Sequence, residues 1–234
     1  ENNDINFATP IYDVKINQDT ELTNTKELVV TGTLDSGDYK FTTTGNVEAE
    51  RFNTRGKEVD IEGNVKAGIL YIAGDNNQIH GNLKTTDSVI FSEGSLSIAG
   101  DTEIEKGHLY MTNDSDKLLV KGNLILGEDY GTNSEHEMTA GTVEVKGDFT
   151  SKYKRDNSSY GYYETEEHKT IFSGDKTQKI SFVQACNVNG FNENLELVNN
   201  DINFATSIYD VKINQDTELT NTKELVVTGT LDSG

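Results

Sequence analysis

The chain has 234 residues, of which 40 are acidic and 20 are basic, so its formal net charge at pH 7 is −20. This charge argues against binding to nucleic acid or to an anionic membrane, because both would repel the chain. Hydrophobic residues make up only 33%, with 21 glycines and one proline, which predicts a thin, elongated body rather than a globule around one thick core.

The segment at residues 2–37 recurs almost unchanged at residues 199–234. The two copies agree at 35 of 36 positions, and the single difference is Pro10 against Ser207. A structural repeat needs to keep only the residues that pack or turn, so this identity indicates copying of a whole unit. We therefore expect residues 1–197 to be one unit of a tandem array and residues 198–234 to be the start of the next, near-identical unit.

Short β-like runs follow the first copy, each punctuated by a glycine, a small polar residue and usually an apolar one. Val59, Ile61 and Val65 show the alternation that is typical of half-buried strands. Clusters of Asn and Asp between the runs predict tight turns. The glycines predicted to lie at corners, separated by 13, 18, 18, 19, 22 and 25 residues, are Gly32, Gly45, Gly63, Gly81, Gly100, Gly122 and Gly147.

The near-even glycine spacing predicts an all-β fold, a β-solenoid like a parallel β-helix that continues across tandem units. In such a fold glycine recurs at one corner because the backbone there needs a positive φ or a close approach between layers. The alternative is a string of β-sandwiches, which would have a thicker aromatic core and a less regular spacing.

The rhythm breaks at residues 151–168, which read SKYKRDNSSYGYYETEEH. Basic residues come first and acidic residues follow, so this segment is predicted to be a protruding hairpin with complementary charges on its two arms. Four tyrosines on it, Tyr153, Tyr160, Tyr162 and Tyr163, are candidates for contact with a partner or a sugar. The alternative is that these tyrosines pack on the flank of the solenoid.

The segment after this loop carries the most specific motif in the chain. Residues 168–182 read HKTIFSGDKTQKISF, and residues 189–200 read NGFNENLELVNN. Together they resemble, over about 35 residues, a repeat of very large, repetitive cell-surface proteins of Clostridia-like Firmicutes. This resemblance implies an extracellular, β-rich stalk or fibre and supplies no ligand. The GNV and GNL punctuation is more weakly similar to bactofilins, cytoskeletal β-helix polymers that lack both these segments and the long repeat.

The sequence offers no familiar catalytic or metal-binding pattern. It contains neither HExxH nor CxxC, and its four histidines lie 28 to 32 residues apart. Residues 75–77 and 114–116 offer oxygen ligands for calcium, but the GGxGxD repeat of calcium-binding solenoids is missing, so we predict solvated turns, no metal and no cofactor. We also predict that the chain is not an enzyme, since a polysaccharide-cleaving β-helix would have no reason to be copied in a row.

These observations predict a structural repeat of a secreted bacterial filament at the cell surface, either a fibre, a stalk or a sheath. Its partners would be neighbouring repeat units or identical chains stacked end to end, with no nucleic acid and no membrane insertion in this segment. The alternative is an adhesin repeat that binds a host receptor or a glycan through the Tyr-rich loop. Deleting the loop would then abolish attachment and leave the fibre intact.

Overall fold

The computed structural model of the chain describes residues 10–23, 26–56, 58–130, 138–152, 168–176, 178–182, 195–197, 200–203, 207–208, 211–213, 226–227 and 231–232. All regular secondary structure in these ranges is β-strand, which confirms the predicted all-β class. The described residues contain no helix that is long and apolar enough to cross a membrane.

The strands are numbered in chain order. The first thirteen are β1 (Val14–Lys15), β2 (Thr20–Leu22), β3 (Glu27–Asp35), β4 (Phe41–Thr43), β5 (Asn46–Thr54), β6 (Val59–Ile61), β7 (Val65–Ile72), β8 (Asn77–Ile79), β9 (Leu83–Thr85), β10 (Val89–Phe91), β11 (Ser95–Ile98), β12 (Thr102–Gly107) and β13 (Leu109–Tyr110). The others are β14 (Lys117–Val120), β15 (Leu124–Tyr130), β16 (Thr142–Val145), β17 (Phe149–Ser151), β18 (Lys169–Phe172), β19 (Gln178–Phe182), β20 (Leu195–Leu197), β21 (Asn200–Asn203), β22 (Ser207–Ile208), β23 (Val211–Ile213), β24 (Val226–Val227) and β25 (Leu231–Asp232).

The strands form two long sheets in which every described pairing is parallel. The first sheet has the order β1-β3-β5-β7-β9-β12-β15-β17-β19-β21, with β10 beside β7 and β13. The second has the order β2-β4-β6-β8-β11-β14-β16-β18-β20-β23-β25, and β22 pairs with β24 alone. The chain alternates between the sheets, so each coil stacks on the one before it. This is the predicted β-solenoid; β-sandwiches, which are built from antiparallel sheets, do not fit.

A nine-residue segment recurs in six successive coils. It contains a short strand of the second sheet, a glycine corner and the first residues of a strand of the first sheet. Its first, third, seventh and ninth residues are buried in every coil, while the second, fourth, sixth and eighth face outward. This alternation is the reason that the segment forms strands. The six segments are residues 41–49, 59–67, 77–85, 96–104, 118–126 and 143–151.

The inward residues of successive coils stack into one continuous, narrow core. In one column, for example, Val47 pairs with Val65 and Val65 pairs with Leu83. Larger side chains fill two places in the core: Phe41 packs edge-on against Phe52 with ring centroids 6.5 Å apart, and Phe149 packs against Phe172 at 5.7 Å. Each coil thus buries its apolar side chains against the coils above and below it, and this burial is the main stabilising term.

Each coil closes on a third side, between the end of one nine-residue segment and the start of the next. The second half of β7 lies beside β10 there, with Leu70 paired to Val89, and β10 lies beside β13, with Val89 paired to Leu109. This side is less regular than the other two. The strand pairing shifts register within β3 and β5 and again within β12 and β15.

The two copies of the repeated segment form the same strand pairs. Val14 pairs with Leu34 in the first copy, and the equivalent residues, Val211 and Leu231, pair in the second. The bridge between Ile11 and Val30 likewise has its counterpart in the pairing of β22 with β24. Equivalent residues therefore pair with each other in the same way in both copies. The sheets that contain these strands differ, since β1 belongs to the first sheet and β23 to the second.

Candidate functional site

Stacked glycines form one corner of the solenoid. The N–H of Gly81 donates to the carbonyl of Gly63 at 3.1 Å, and the same bond joins Gly100 to Gly81 at 3.0 Å. It continues from Gly122 to Gly100 at 3.2 Å and from Gly147 to Gly122 at 3.0 Å. A Cβ added at Gly81 would lie 2.6 Å from the Gly63 carbonyl oxygen, and one added at Gly147 would lie 2.5 Å from that of Gly122. Backbone stacks directly on backbone here, and any side chain would prevent it.

Close approach, and not a positive φ, explains why glycine recurs at this corner. The described glycines with a positive φ are Gly37, Gly74, Gly107 and Gly141, and all four lie elsewhere. The sequence left both explanations open, and the structure shows that close approach is the one that applies. Five of the predicted corner glycines stack on the glycine of the preceding coil, and Gly45 begins the stack because Gly63 packs on it.

Gly32 occupies a different place from the other predicted corner glycines. It lies inside β3, where the pairing with β5 shifts register between Val30 and Thr33, and a Cβ on it would meet the carbonyl oxygen of Tyr12 at 2.5 Å. The backbone N–H of Asn46, the residue after Gly45, donates to the carbonyl of Lys26 in the preceding coil and not to that of Gly32. The first spacing of 13 residues is therefore not the length of a coil.

The residue after each corner glycine supplies a second chain of hydrogen bonds. The side-chain oxygen of this Asn or Asp accepts the backbone N–H of the equivalent residue in the next coil, with an N···O distance of 2.8 Å in every case. An Asn amide and an Asp carboxylate both provide this acceptor, which explains why both residue types occur at this position. The residues in order are Asn46, Asn64, Asn82, Asp101, Asn123 and Asp148. We call these residues and the stacked glycines the corner ladder.

Gln178 completes the corner ladder in the next coil. Its side chain is 1% exposed; Nε2 donates to the carbonyls of Val145, at 3.0 Å, and of Gly147, while Oε1 accepts the N–H of Gly174 at 2.7 Å. A side-chain amide thus replaces the glycine N–H that binds the preceding glycine in the other coils. The ladder of side-chain acceptors continues past it, since Lys179 donates its N–H to Asp148 at 2.8 Å.

In the turns considered for calcium, side chains bind backbone groups of the same turn and of a neighbouring coil. Both carboxylate oxygens of the fully buried Asp116 accept N–H groups, Oδ1 from Gly94 at 3.2 Å and Oδ2 from Thr112 at 3.1 Å and Asn113 at 3.0 Å. In the other turn, the side-chain amide of Asn77 donates to the carbonyls of Gly74 and Ser95. These side chains close turns, as buried polar groups in tight turns commonly do.

A buried histidine lies where the chain returns to the regular strands. His168 has no exposed surface, and its Nδ1 lies 2.8 Å from the carbonyl oxygen of Ala140. Burial lowers the pKa of His168 to about 4, so the ring is neutral at physiological pH and Nδ1 carries the proton donated to that carbonyl. Nothing in the sequence indicated the burial of this histidine.

Ion pairs connect neighbouring coils on the outward face. Lys66 lies 2.6 Å from Glu48 in the preceding coil, and Lys84 lies 2.7 Å from Glu105 in the following coil. The hydrogen bond to Glu48 raises the pKa of Lys66. These pairs are exposed to solvent, so their contribution to stability is small.

The predicted partner-binding residues Tyr153, Tyr160, Tyr162 and Tyr163 lie outside the described residues, and their role stays a prediction. No protein-family model, curated protein or solved structure matches the chain. The corner ladder and the two continuous sheets are therefore the observations from which a function can be proposed.

Proposed function

We propose that the chain is a structural repeat of an extracellular bacterial fibre, stalk or sheath, and that continuous β stacking gives this object its length and stiffness. Neighbouring units of the array, or identical chains stacked end to end, would be its principal partners. The observation that carries the proposal is the behaviour of the two sheets at the boundary between the two copies.

Strand pairing in both sheets crosses this boundary. In the first sheet, Gln178 of β19 pairs with Asn200 of β21, which belongs to the second copy. In the second sheet, Leu195 of β20 pairs with Val211 of β23. Parallel pairing therefore extends from one unit into the next, as a continuous rod requires; beads on a flexible linker would break it.

The physics of stacking accounts for stiffness. Neighbouring strands lie about 4.8 Å apart along the hydrogen-bonding direction, and every added coil brings a new set of backbone hydrogen bonds and buried side chains. The corner ladder fixes the distance between layers at one corner, because backbone touches backbone there. A net charge of −20 per chain would keep neighbouring fibres apart in solution.

Electron microscopy of the native, full-length protein tests the proposal. We expect an unbroken thread of constant width whose diffraction shows a layer spacing of about 4.8 Å. A recombinant array with a flexible Gly-Ser linker between residues 197 and 198 of each unit provides the matched control, because the linker should divide the thread into separate rods. Globules joined by gaps in the native protein would contradict continuous stacking.

Location and attachment need separate measurements. Antibody labelling of intact cells should decorate the surface, and labelling only after lysis would contradict an extracellular role. The adhesin alternative is tested by deleting residues 153–167. Loss of attachment with preserved threads would favour the adhesin, whereas unchanged attachment would leave the structural role alone.

A further inference from the structure

Three side chains with metal-binding groups meet on the outward face of two adjacent coils. Asp60 in β6 and Glu62 just after it point to the same side, because the residue between them, Ile61, is fully buried. His80 lies in the next coil. Asp60 pairs with Gln78, and the backbone N–H of His80 donates to the backbone carbonyl of Ile61 at 2.8 Å. These contacts place His80 beside Glu62.

The ligand atoms of these three residues converge. One atom from each of Asp60, Glu62 and His80 lies within 4.8 Å of the other two, and His80 Nε2 is 2.8 Å from Asp60 Oδ1. Zinc binds nitrogen and carboxylate oxygen at roughly 2.0 to 2.2 Å, so ligand atoms around one ion lie about 3 to 4 Å apart. The upper limit of 4.8 Å on the separations in this cluster is close to that spacing. The side chains of His80 and Asp60 are 40% and 29% exposed, so an ion can reach them.

The chemistry of the three groups selects the class of ion. Two carboxylates alone would suit a hard ion such as calcium, but an imidazole nitrogen is a ligand for zinc, copper and nickel. We propose that Asp60, Glu62 and His80 bind a divalent transition-metal ion of the zinc class. The three protein ligands leave a fourth position for water.

The proposed site is preorganised by the fold. The strand alternation fixes Asp60 and Glu62 on one face, and the stacking of coils fixes His80 next to them, so little order is lost when the ion binds. An ion held here would join two coils through side chains. An array of such units would carry one such site every 197 residues, since the spacing of the repeat is 197. The site does not depend on the proposed fibre.

Calorimetric titration of the metal-free chain with Zn²⁺ tests the proposal. We expect one ion at the cluster of Asp60, Glu62 and His80, and the His80→Asn variant should bind this ion at least about ten-fold more weakly because it loses the only nitrogen ligand of the set. Two controls, His108→Asn and Asp75→Asn, remove a described histidine and an exposed carboxylate that do not belong to this cluster, and they should change the affinity less than about two-fold. Equal affinity of the wild-type and His80→Asn chains would overturn the site.

A second measurement needs no variant and so stays decisive if His80→Asn does not fold. Cu²⁺ added in small amounts to the ¹⁵N-labelled wild-type chain broadens the amide signals nearest the ion. We expect the broadening to centre on residues 60–62 and 80. Broadening centred elsewhere, or none at all, would overturn the proposal, while competition by excess Zn²⁺ would show that both ions use the same site.

Discussion

The two halves of each coil differ in how much their number of residues varies. The nine-residue segment that holds the glycine corner has the same length in all six regular coils, from residues 41–49 to residues 143–151. The chain that connects these segments grows from nine residues in 50–58 and 68–76 to ten, thirteen and sixteen in 86–95, 105–117 and 127–142. All the widening of the glycine spacing therefore comes from the connecting half.

Contact between backbones explains this difference. At the corner ladder each glycine touches the glycine of the preceding coil, so an extra residue would break both the stack and the row of Asn and Asp acceptors. The connecting half contains turns and register shifts that accommodate extra chain. The lesson is that this solenoid keeps its length constant at the corner where glycines stack directly on one another, and varies it in the half that contains the turns and register shifts.

A matched pair of insertions should show the largest difference between the two halves of a coil. Ser-Gly inserted after Asn123 should abolish cooperative folding, because every later acceptor in the ladder loses its register. The same dipeptide inserted after Asn133, in the longest of these connecting segments, should cost no more than about 1 kcal/mol, since these segments already vary from nine to sixteen residues in length. Urea unfolding followed by circular dichroism checks both. Equal effects of the two insertions would refute the distinction between the halves.

A single methyl group on the corner ladder should also be costly. In Gly122→Ala the new Cβ would lie 2.5 Å from the carbonyl of Gly100, and neither backbone segment can move without disturbing its sheet. We expect a loss of more than about 3 kcal/mol in the free energy of unfolding, at the upper end of overpacking effects. Lys121→Ala, one residue away on the exposed surface, is the control and should change the stability by less than about 0.5 kcal/mol.

Burial of His168 makes the free energy of unfolding depend on pH. Because the folded pKa of His168 is lowered to about 4 from 6.5, the unfolded chain binds more protons between these values. Stability is therefore fully present above pH 6.5 and falls as the pH approaches 4, by on the order of 3 kcal/mol. Urea unfolding of the wild-type chain and of His168→Leu across this range isolates the effect, since carboxylates titrate alike in both. Parallel curves would contradict the assignment.

Gln178→Ala tests the side chain that replaces glycine at the last described corner. The substitution leaves the carbonyls of Val145 and Gly147 and the N–H of Gly174 without this partner in a buried place. We expect a loss of about 2 kcal/mol, because unsatisfied buried groups are costly. Gln178→Glu keeps the acceptor and loses the donor, so it should be destabilising as well. A neutral effect of both would show that water replaces the amide.

The smallest expected effect concerns the exposed acceptors of the corner ladder. Asn82→Ala removes the oxygen that accepts the Asp101 N–H at 2.8 Å, which should cost about 1 kcal/mol. Asn82→Asp keeps an acceptor oxygen in the same place and should cost less than half as much. Thermal unfolding of the two variants decides, and identical losses would mean that the acceptor itself is unimportant.

Much of the fold could be predicted from the sequence, because alternation and glycine spacing are local. Val59, Ile61 and Val65 revealed the strands, and the regular glycines revealed the coil. Gly32 could not be separated from the others, since the residues around it look the same and only the register of β3 against β5 distinguishes it. The reason for glycine also had to be observed, since both possible reasons select the same residue.

The sites that the sequence did not reveal depend on contacts between coils. Asp60 and His80 are twenty positions apart in the sequence and 2.8 Å apart in space, a spacing that matches no local metal motif. In the sequence Gln178 resembles any other polar residue, and only the stacking of coils places its side chain over Gly147. In each case the missing information was which residue of one coil lies on which residue of the next.

The parallel pairing of every described strand also gives the rod a direction. A coil presents one set of strand edges to the coil before it and a different set to the coil after it, so the two faces of a unit are not interchangeable. Units that point the same way can join, whereas two identical faces can meet only if strand direction reverses. Assembly of this kind is open-ended and does not close on itself. A filament built from such units, if it forms as we propose, would therefore have two chemically different ends.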